Sequence, residues 1–210
     1  MTEKVIIWGA SGHGRVVLDA ARACGNLSVV GFLDDDASKK GQMFSGCPIL
    51  GGRELLSDLR DSGGVRAIHV AVGHCAMRLA IAESLSSAGF STKTIVHPAA
   101  VIASDTKIGS GSFVAAGAIM GAGAAVGREV IVNTNSSVDH DCLVGDGVHI
   151  APGVRLGGLV NVGRGTFIGI GATVINCLAV GENTIVGAGA VVVRDLPPGI
   201  VAYGVPAKVI

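Results

Sequence analysis

His140 stands between two carboxylates, in a stretch that runs Asn133-Thr-Asn-Ser-Ser-Val-Asp139-His140-Asp141-Cys142 and continues to Asp146 and His149. An imidazole beside a carboxylate is the pairing that general-base chemistry uses. The carboxylate fixes the tautomer and raises the basicity of the other ring nitrogen. Histidine is scarce in this part of the chain: after His97 only His140 and His149 occur. Gly158 follows His140 by 18 residues. If 18 residues make one coil of a stacked structure, the Gly158 amide lies about 5 Å from the imidazole region. A base and an amide donor so placed suit acyl transfer: the base takes the proton of the attacking group and the amide holds the developing oxyanion. The plain alternative is that these polar groups are the solvated face of a repeat.

A second group lies near the start. Gly9-Ala-Ser11-Gly12-His13-Gly14 follows a short apolar strand and opens a helical pattern. A glycine turn at a helix start presents free amides to an anion. The glycines are spaced GxxGxG, not the GxGxxG of dinucleotide binders. Asp34 comes 20 residues after Gly14, at the end of the second strand, and suits a ribose hydroxyl. Ala71-Val-Gly73-His74 is a second glycine turn that could border the same crevice. The bland reading is a tight strand–helix turn beside an acidic loop. NAD is the less expected ligand, because this half holds only about one mononucleotide unit.

The elements that must position these groups come from two different rhythms. From Ile102 to Val192 every sixth residue is aliphatic, 16 times without insertion, and the next residue is Gly in nine of the first fifteen hexads. That short fixed period predicts a parallel β-helix with three hexads per coil. Residues 1–97 alternate strands and helices and predict an α/β domain with a parallel sheet. The expected strands are Lys4–Trp8, Ser28–Leu33, Ala67–Val72 and Lys93–Val96. The expected helices are Val16–Cys24, Arg53–Arg60 and Met77–Ser87. Residues 98–210 form the repeat domain.

Composition excludes several classes. Sixteen basic and 16 acidic residues balance, which argues against nucleic-acid or membrane-surface binding. Aromatic residues are only 3%, against 33 glycines, which fits stacked coils rather than a bulky core. No apolar run reaches the roughly 18–20 residues of a membrane span, and the charged start of the chain carries no signal-peptide pattern. The five cysteines (Cys24, Cys47, Cys75, Cys142, Cys177) have no CxxC spacing and are expected as free thiols in the cytoplasm. Cys142 falls at a core position of its hexad.

These residues together resemble the hexapeptide-repeat acetyltransferases of the sialic acid O-acetyltransferase / nucleotide-amino-sugar N-acetyltransferase family, which includes bacillosamine- and perosamine-type N-acetyltransferases. The likeness spans nearly the whole chain. It rests on Gly9 to Gly14, Gly31-Phe-Leu-Asp34-Asp35, Ala71-Val-Gly73 with Arg78, and Val96-His-Pro-Ala99. It continues through Asn133 to Asp141, Gly145 to Gly153, and Gly204-Val-Pro206-Ala-Lys208. It departs at His74-Cys75, where relatives usually carry Asn or Asp after the glycine.

The resemblance implies a Rossmann-like N-terminal domain followed by a left-handed parallel β-helix. It implies acetyl-CoA as co-substrate, no metal, and a homotrimer with acetyl-CoA in the clefts between subunits. The N-terminal domain and a neighbouring subunit would supply the walls of the acceptor site. His140 matches the general base, Asp141 its orienting carboxylate, and Gly158 the amide at the thioester carbonyl. Gly9, Ser11, Gly12, His13, Gly14, Asp34, Asp35, Gly73, Arg78 and Asn133 fall on the acceptor side. His149, Gly158, Asn176, Gly204 and Pro206 fall on the cofactor side. His69 and His97 read as structural. The implied reaction moves acetyl to the amine of a UDP- or GDP-linked 4-amino-4,6-dideoxy sugar. A sugar or sialic acid O-acetyltransferase is the nearest rival. A zinc carbonic anhydrase on the same β-helix and a non-catalytic nucleotide sensor are remoter ones. The nucleotide base stays open.

Overall fold

The structure is a computed structural model that describes residues 2–62 and 64–210, so Met1, at the charged start of the chain, lies outside it. The chain divides into two compact units between Pro98 and Ala99.

The first unit is a parallel sheet flanked by helices. Strand β1 (Glu3–Trp8) leads into helix α1 (Gly12–Cys24) and strand β2 (Leu27–Leu33). A short hairpin, β3 (Met43–Phe44) and β4 (Cys47–Gly51), comes next, then α2 (Leu56–Asp61), β5 (Ala67–Val70), α3 (Cys75–Ser87) and β6 (Ser91–Thr92). The strand order is β3-β4-β2-β1-β5-β6, parallel except for the β3–β4 pair. Ile6, Ile68 and Val70 on the sheet pack with Leu56, Ile81 and Leu85 from the helices.

The hairpin was not legible in the sequence, because β3 has only two residues. Its turn is Ser45-Gly46, both at positive φ (50° and 82°), a pairing that suits a tight two-residue reversal. The expected helix over 53–60 begins as one 3-10 turn, Arg53–Leu55, and becomes α-helical only at Leu56. The expected strand over 67–72 stops at Val70, where the second glycine turn begins.

The second unit is a three-sided prism. Two-residue strands alternate with corner turns, and each strand up to Thr173–Val174 pairs in parallel with the strand 18 residues on. Ile119–Met120, Ser137–Val138, Arg155–Leu156 and Thr173–Val174 lie on the first face. Ala125–Val126, Leu143–Val144, Asn161–Val162 and Ala179–Val180 lie on the second. Phe113–Val114, Ile131–Val132, His149–Ile150 and Phe167–Ile168 lie on the third. The aliphatic residue of every hexad from Val114 to Val192 is buried. Each such side chain contributes roughly 1.5–3 kcal/mol by leaving water. The small residue four places later is buried beside it, as at Ser112, Ala118, Val130 and Cys142.

From Ile108 to Val186 the third residue after each aliphatic adopts left-handed φ. Gly fills many of these places, and Glu129, Asn135, Asp141 and Asn183 fill others. Asp and Asn tolerate this conformation better than most residues.

Candidate active site

The turn between the first and second faces carries His140. Asp141, at φ 56°, turns its carboxylate back to the ring: His140 Nδ1 and Asp141 Oδ2 are 3.0 Å apart. A carboxylate only accepts, so the proton sits on Nδ1 and Nε2 keeps its lone pair. Asp139 points elsewhere, its Oδ1 accepting from the His140 backbone N–H at 2.7 Å. The imidazole is exposed, and its pKa is raised, first by the hydrogen bond to Asp141 and then by the charges of Asp139 and Asp141.

Gly158 is where the 18-residue spacing put it. A Cβ built on it would lie 2.5 Å from His140 Cε1, 2.8 Å from Cδ2 and closer still to Nε2. The bare nitrogen therefore rests against the main chain of the next coil. Leu159 N–H donates to the His140 carbonyl at 2.9 Å, which locks the two coils together. Among the described residues the Gly158 N–H meets no acceptor. Asn176 follows one coil later in the same column, exposed, with Nδ2 3.5 Å from Cys177 Sγ. Cys142 is not poised as a nucleophile: its side chain is buried, its thiol donates to the Gly157 carbonyl, and burial pushes its pKa up.

Asn133 and His149 form a separate pair at the third face. Asn133 Oδ1 accepts from the Thr134 N–H, so Nδ2 is the group that donates to His149 Nε2 at 3.2 Å. His149 then carries its proton on Nδ1. Its ring meets Phe167 edge to face, 5.1 Å between centroids. The structure thus gathers the predicted prism residues into two clusters. His140, Asp141, Gly158 and Asn176 share one corner column, and Asn133 with His149 occupies another part of the surface.

The sequence reading missed a trough of about 610 Å³ along the second face. Leu143, Asn161, Arg164, Ala179 and Glu182 line it. Its signal was present: every strand of this face is followed by glycine, at Gly109, Gly127, Gly145, Gly163 and Gly181. A side chain at Gly145 or Gly163 would run into the backbone of the next coil, at Arg164 N (2.7 Å) or Glu182 N (2.5 Å). The bare backbone there makes the wall of the trough.

In the first unit the glycine loop is built by close approach. Gly9 has φ +115°, and a Cβ on it would lie 2.7 Å from the Ala71 carbonyl oxygen. A Cβ on Gly14 would collide with the Gly9 carbonyl, so α1 starts directly against the loop. Gly12 faces open space. Ser11 is the N-cap of α1, yet its hydroxyl makes no capping bond and the first turn holds no acidic residue. These features leave the helix start open to an anion. His13, in that first turn, is half-buried.

Two expectations change here. Asp34 was expected to face a ribose; instead Oδ2 accepts from the Ala10 N–H (2.9 Å) and Lys39 Nζ (2.8 Å), and Oδ1 from the Asp36 N–H (3.0 Å). It holds the glycine loop in place. Arg78 was expected at the substrate; it is 1% exposed and donates to the carbonyls of Val72 (2.7 Å) and Gly73 (3.1 Å). It braces the second glycine turn from within. His74, the departure noted above, caps α3: its Nδ1 accepts from the Met77 N–H at 3.3 Å, a task Asn or Asp also performs. Asp35 pairs with Arg53 at 2.6 Å, and that bond holds its carboxyl below the usual range. Both border a cavity of about 330 Å³ with Trp8, Met77, Ile81 and Ser84.

At the C-terminus the Gly204 carbonyl accepts from Val191 N–H, and the Val205–Pro206 peptide is cis. Pro206 is exposed.

The His140 corner of the prism suits acyl transfer, the start of α1 in the first unit suits an anion, and comparison with known proteins decides the family. The chain is 31% identical over 177 residues to GDP-perosamine N-acetyltransferase of Escherichia coli O157:H7, covering 80% of this chain and 76% of that one. The chain belongs to the nucleotide-amino-sugar N-acetyltransferase family. The profile of the PglD N-terminal domain matches residues 4–85. The Caulobacter crescentus GDP-perosamine N-acetyltransferase, solved with CoA and GDP-perosamine, has 38% identity and a TM-score of 0.94 over 100% of this chain and 98% of its own. The acetyltransferase domain of PglB from Neisseria gonorrhoeae, solved with acetyl-CoA, has 39% identity and a TM-score of 0.93 over the full length of both. The protein is an acetyl-CoA-dependent sugar N-acetyltransferase acting on a nucleotide-linked amino sugar. Its prism is a left-handed β-helix. Among the described residues no helix is long and apolar enough to cross a membrane.

Proposed function

We propose that the acceptor is a GDP-linked 4-amino-4,6-dideoxy sugar and that His140 is the general base of a direct transfer. The relatives from Escherichia coli and Caulobacter crescentus, named for GDP-perosamine, support the guanosine nucleotide. The observation that carries the mechanism is the column in which Asp141 holds Nδ1–H while Nε2 rests over Gly158.

The neutral acceptor amine attacks the thioester carbonyl carbon of acetyl-CoA. His140 Nε2 takes the amine proton as the C–N bond forms, and Asp141 steadies the imidazolium. The Gly158 N–H stabilises the tetrahedral oxyanion. The C–S bond then breaks, and CoA leaves as a thiolate that the imidazolium reprotonates. Direct transfer fits the buried, protonated state of Cys142. Asn133 and His149 belong to the acetyl and acceptor region. Asn176, Gly204 and Pro206 contact the cofactor.

The start of α1, with Gly9, Ser11, Gly12, His13 and Gly14, takes the nucleotide diphosphate. Gly73 and Asp35 border the nucleoside. Asp34 and Arg78 act through the two loops they hold. The working form is a homotrimer with acetyl-CoA between subunits, an assembly supported by apolar residues left exposed on the prism: Val101, Ile119, Leu143 and Leu159. Five free cysteines suit a cytoplasmic enzyme.

The test is thiol release from acetyl-CoA against a panel of amino-sugar nucleotides that differ in base. Highest kcat/KM with the GDP sugar is the expected result; preference for a UDP sugar overturns the choice of base. His140→Ala in the same assay, with assembly checked by light scattering, tests the mechanism. Near-normal kcat in an intact trimer would remove His140 from it.

A further inference from the structure

Asp139 lies beside the proposed base, yet its carboxylate does not touch the imidazole. It bonds the His140 backbone N–H at 2.7 Å. The same device recurs six residues earlier, where Asn133 Oδ1 takes the Thr134 N–H at 2.9 Å. At the corner of the second face Asp146 Oδ1 takes the Arg128 N–H at 2.8 Å. In each case a side-chain oxygen occupies the amide of the second residue after the aliphatic. One coil beyond His140 that place belongs to Gly158, preceded by Gly157, which has no side chain to offer. Within the column the His140 amide is capped, and the Gly158 amide, where an oxyanion needs it, is not.

We propose that Asp139 is a positioning residue for acetyl transfer: its carboxylate fixes the main chain of His140 so that Nε2 stays over Gly158, and it sets a second negative group beside the imidazole. The inference rests on the reading of His140 as the base. The surroundings make Asp139 and Asp141 the only charged residues of the three stacked turns. The coil before contributes Gly121-Ala122-Gly123 and the coil after contributes Gly157-Gly158-Leu159. Arg155, on the first face, is committed to the carbonyl of Asn135. Cys142, on the same turn, is a buried thiol bonded to the Gly157 carbonyl. The direction of the His140 titration agrees, since Asp139 adds to the upward effect of Asp141.

Two variants separate the two contributions. Asp139→Asn keeps an oxygen for the amide and removes the charge; Asp139→Ala removes both. The measurements are kcat and KM from pH 5 to 9, and the NMR titration of His140, assigned by difference from His140→Gln. Asp139→Ala is expected to lower kcat on the order of tenfold across the range with little change in the KM for acetyl-CoA. Asp139→Asn is expected to reach near-normal kcat at high pH, with His140 titrating lower than in the unaltered enzyme. Normal kcat and an unmoved His140 titration in both variants would overturn the proposal. So would equal losses in both with the titration unmoved, because that result means a purely structural role. His140→Ala serves as the control: if it remains active, the reading of the base has failed, whatever Asp139 does.

Discussion

His140 and Gly158 are in van der Waals contact across one coil of the prism, and the contact leaves no room for even a methyl group. Gly158→Ala is therefore expected to push the imidazole off its seat while the coil itself persists. Turnover should fall on the order of 100-fold, the scale of losing a general base. The KM for the nucleotide sugar should hold, because the first unit is untouched. Steady-state kinetics with circular dichroism checks this. Wild-type kcat in Gly158→Ala would show that the seat is irrelevant.

Asp141 raises the basicity of His140 chiefly through its hydrogen bond to Nδ1. The base form of His140 is the active one, so activity should rise with pH as the imidazole loses its proton. Asp141→Asn lowers that pKa, so the acid limb of kcat/KM should move to lower pH. The plateau should drop at the same time, because the imidazolium loses its partner. A limb that moves to higher pH contradicts the assignment.

His69 supplies a stability prediction. It is 1% exposed and its Nδ1 bonds the Lys93 carbonyl at 2.7 Å. Burial lowers its pKa to about 4. The unfolded chain, with histidine near its ordinary value, binds more protons than the native state at any pH between these two limits. Native stability is thus complete above about pH 6.5 and falls as pH drops toward 4, by about 3 kcal/mol over that window. Urea unfolding at pH 7 and pH 5 measures the loss. In His69→Gln the slope should flatten by about one proton.

Gly14 tests the first unit. A Cβ there meets the Gly9 carbonyl. Gly14→Ala should separate α1 from the loop and raise the KM for the nucleotide sugar, with acetyl-CoA binding unchanged. Isothermal titration with each ligand in turn is the direct check. Equal affinity for the nucleotide sugar would remove the loop from the acceptor site.

The prism was legible because its signal is repeated. One aliphatic residue every six positions sets the faces, and Val138 and Leu156, paired in register, bring His140 and Gly158 together. The roles of single polar groups were less legible. Asp139 and Asp141 are chemically identical neighbours of His140, and local backbone and side-chain torsions decide which one reaches Nδ1. Arg78 is placed on the acceptor side by resemblance, and nothing in its local sequence reveals that the Val72 and Gly73 carbonyls hold it inside. Asp34 has the right distance from Gly14 for a ribose, but Ala10 and Lys39 lie nearer. The β3–β4 hairpin is too short for any periodicity to register.

The parallel register of the prism has a bearing on how such a chain tolerates insertion. One residue added between His140 and Leu156 would shift every later side chain off its partner and part the base from the amide. Eighteen residues added beyond Asn176 would lengthen the stack by one storey and leave the reaction corner as it was. Length in this domain can change only in whole storeys, so lineages of such enzymes should differ by complete coils above or below the corner and seldom by anything less.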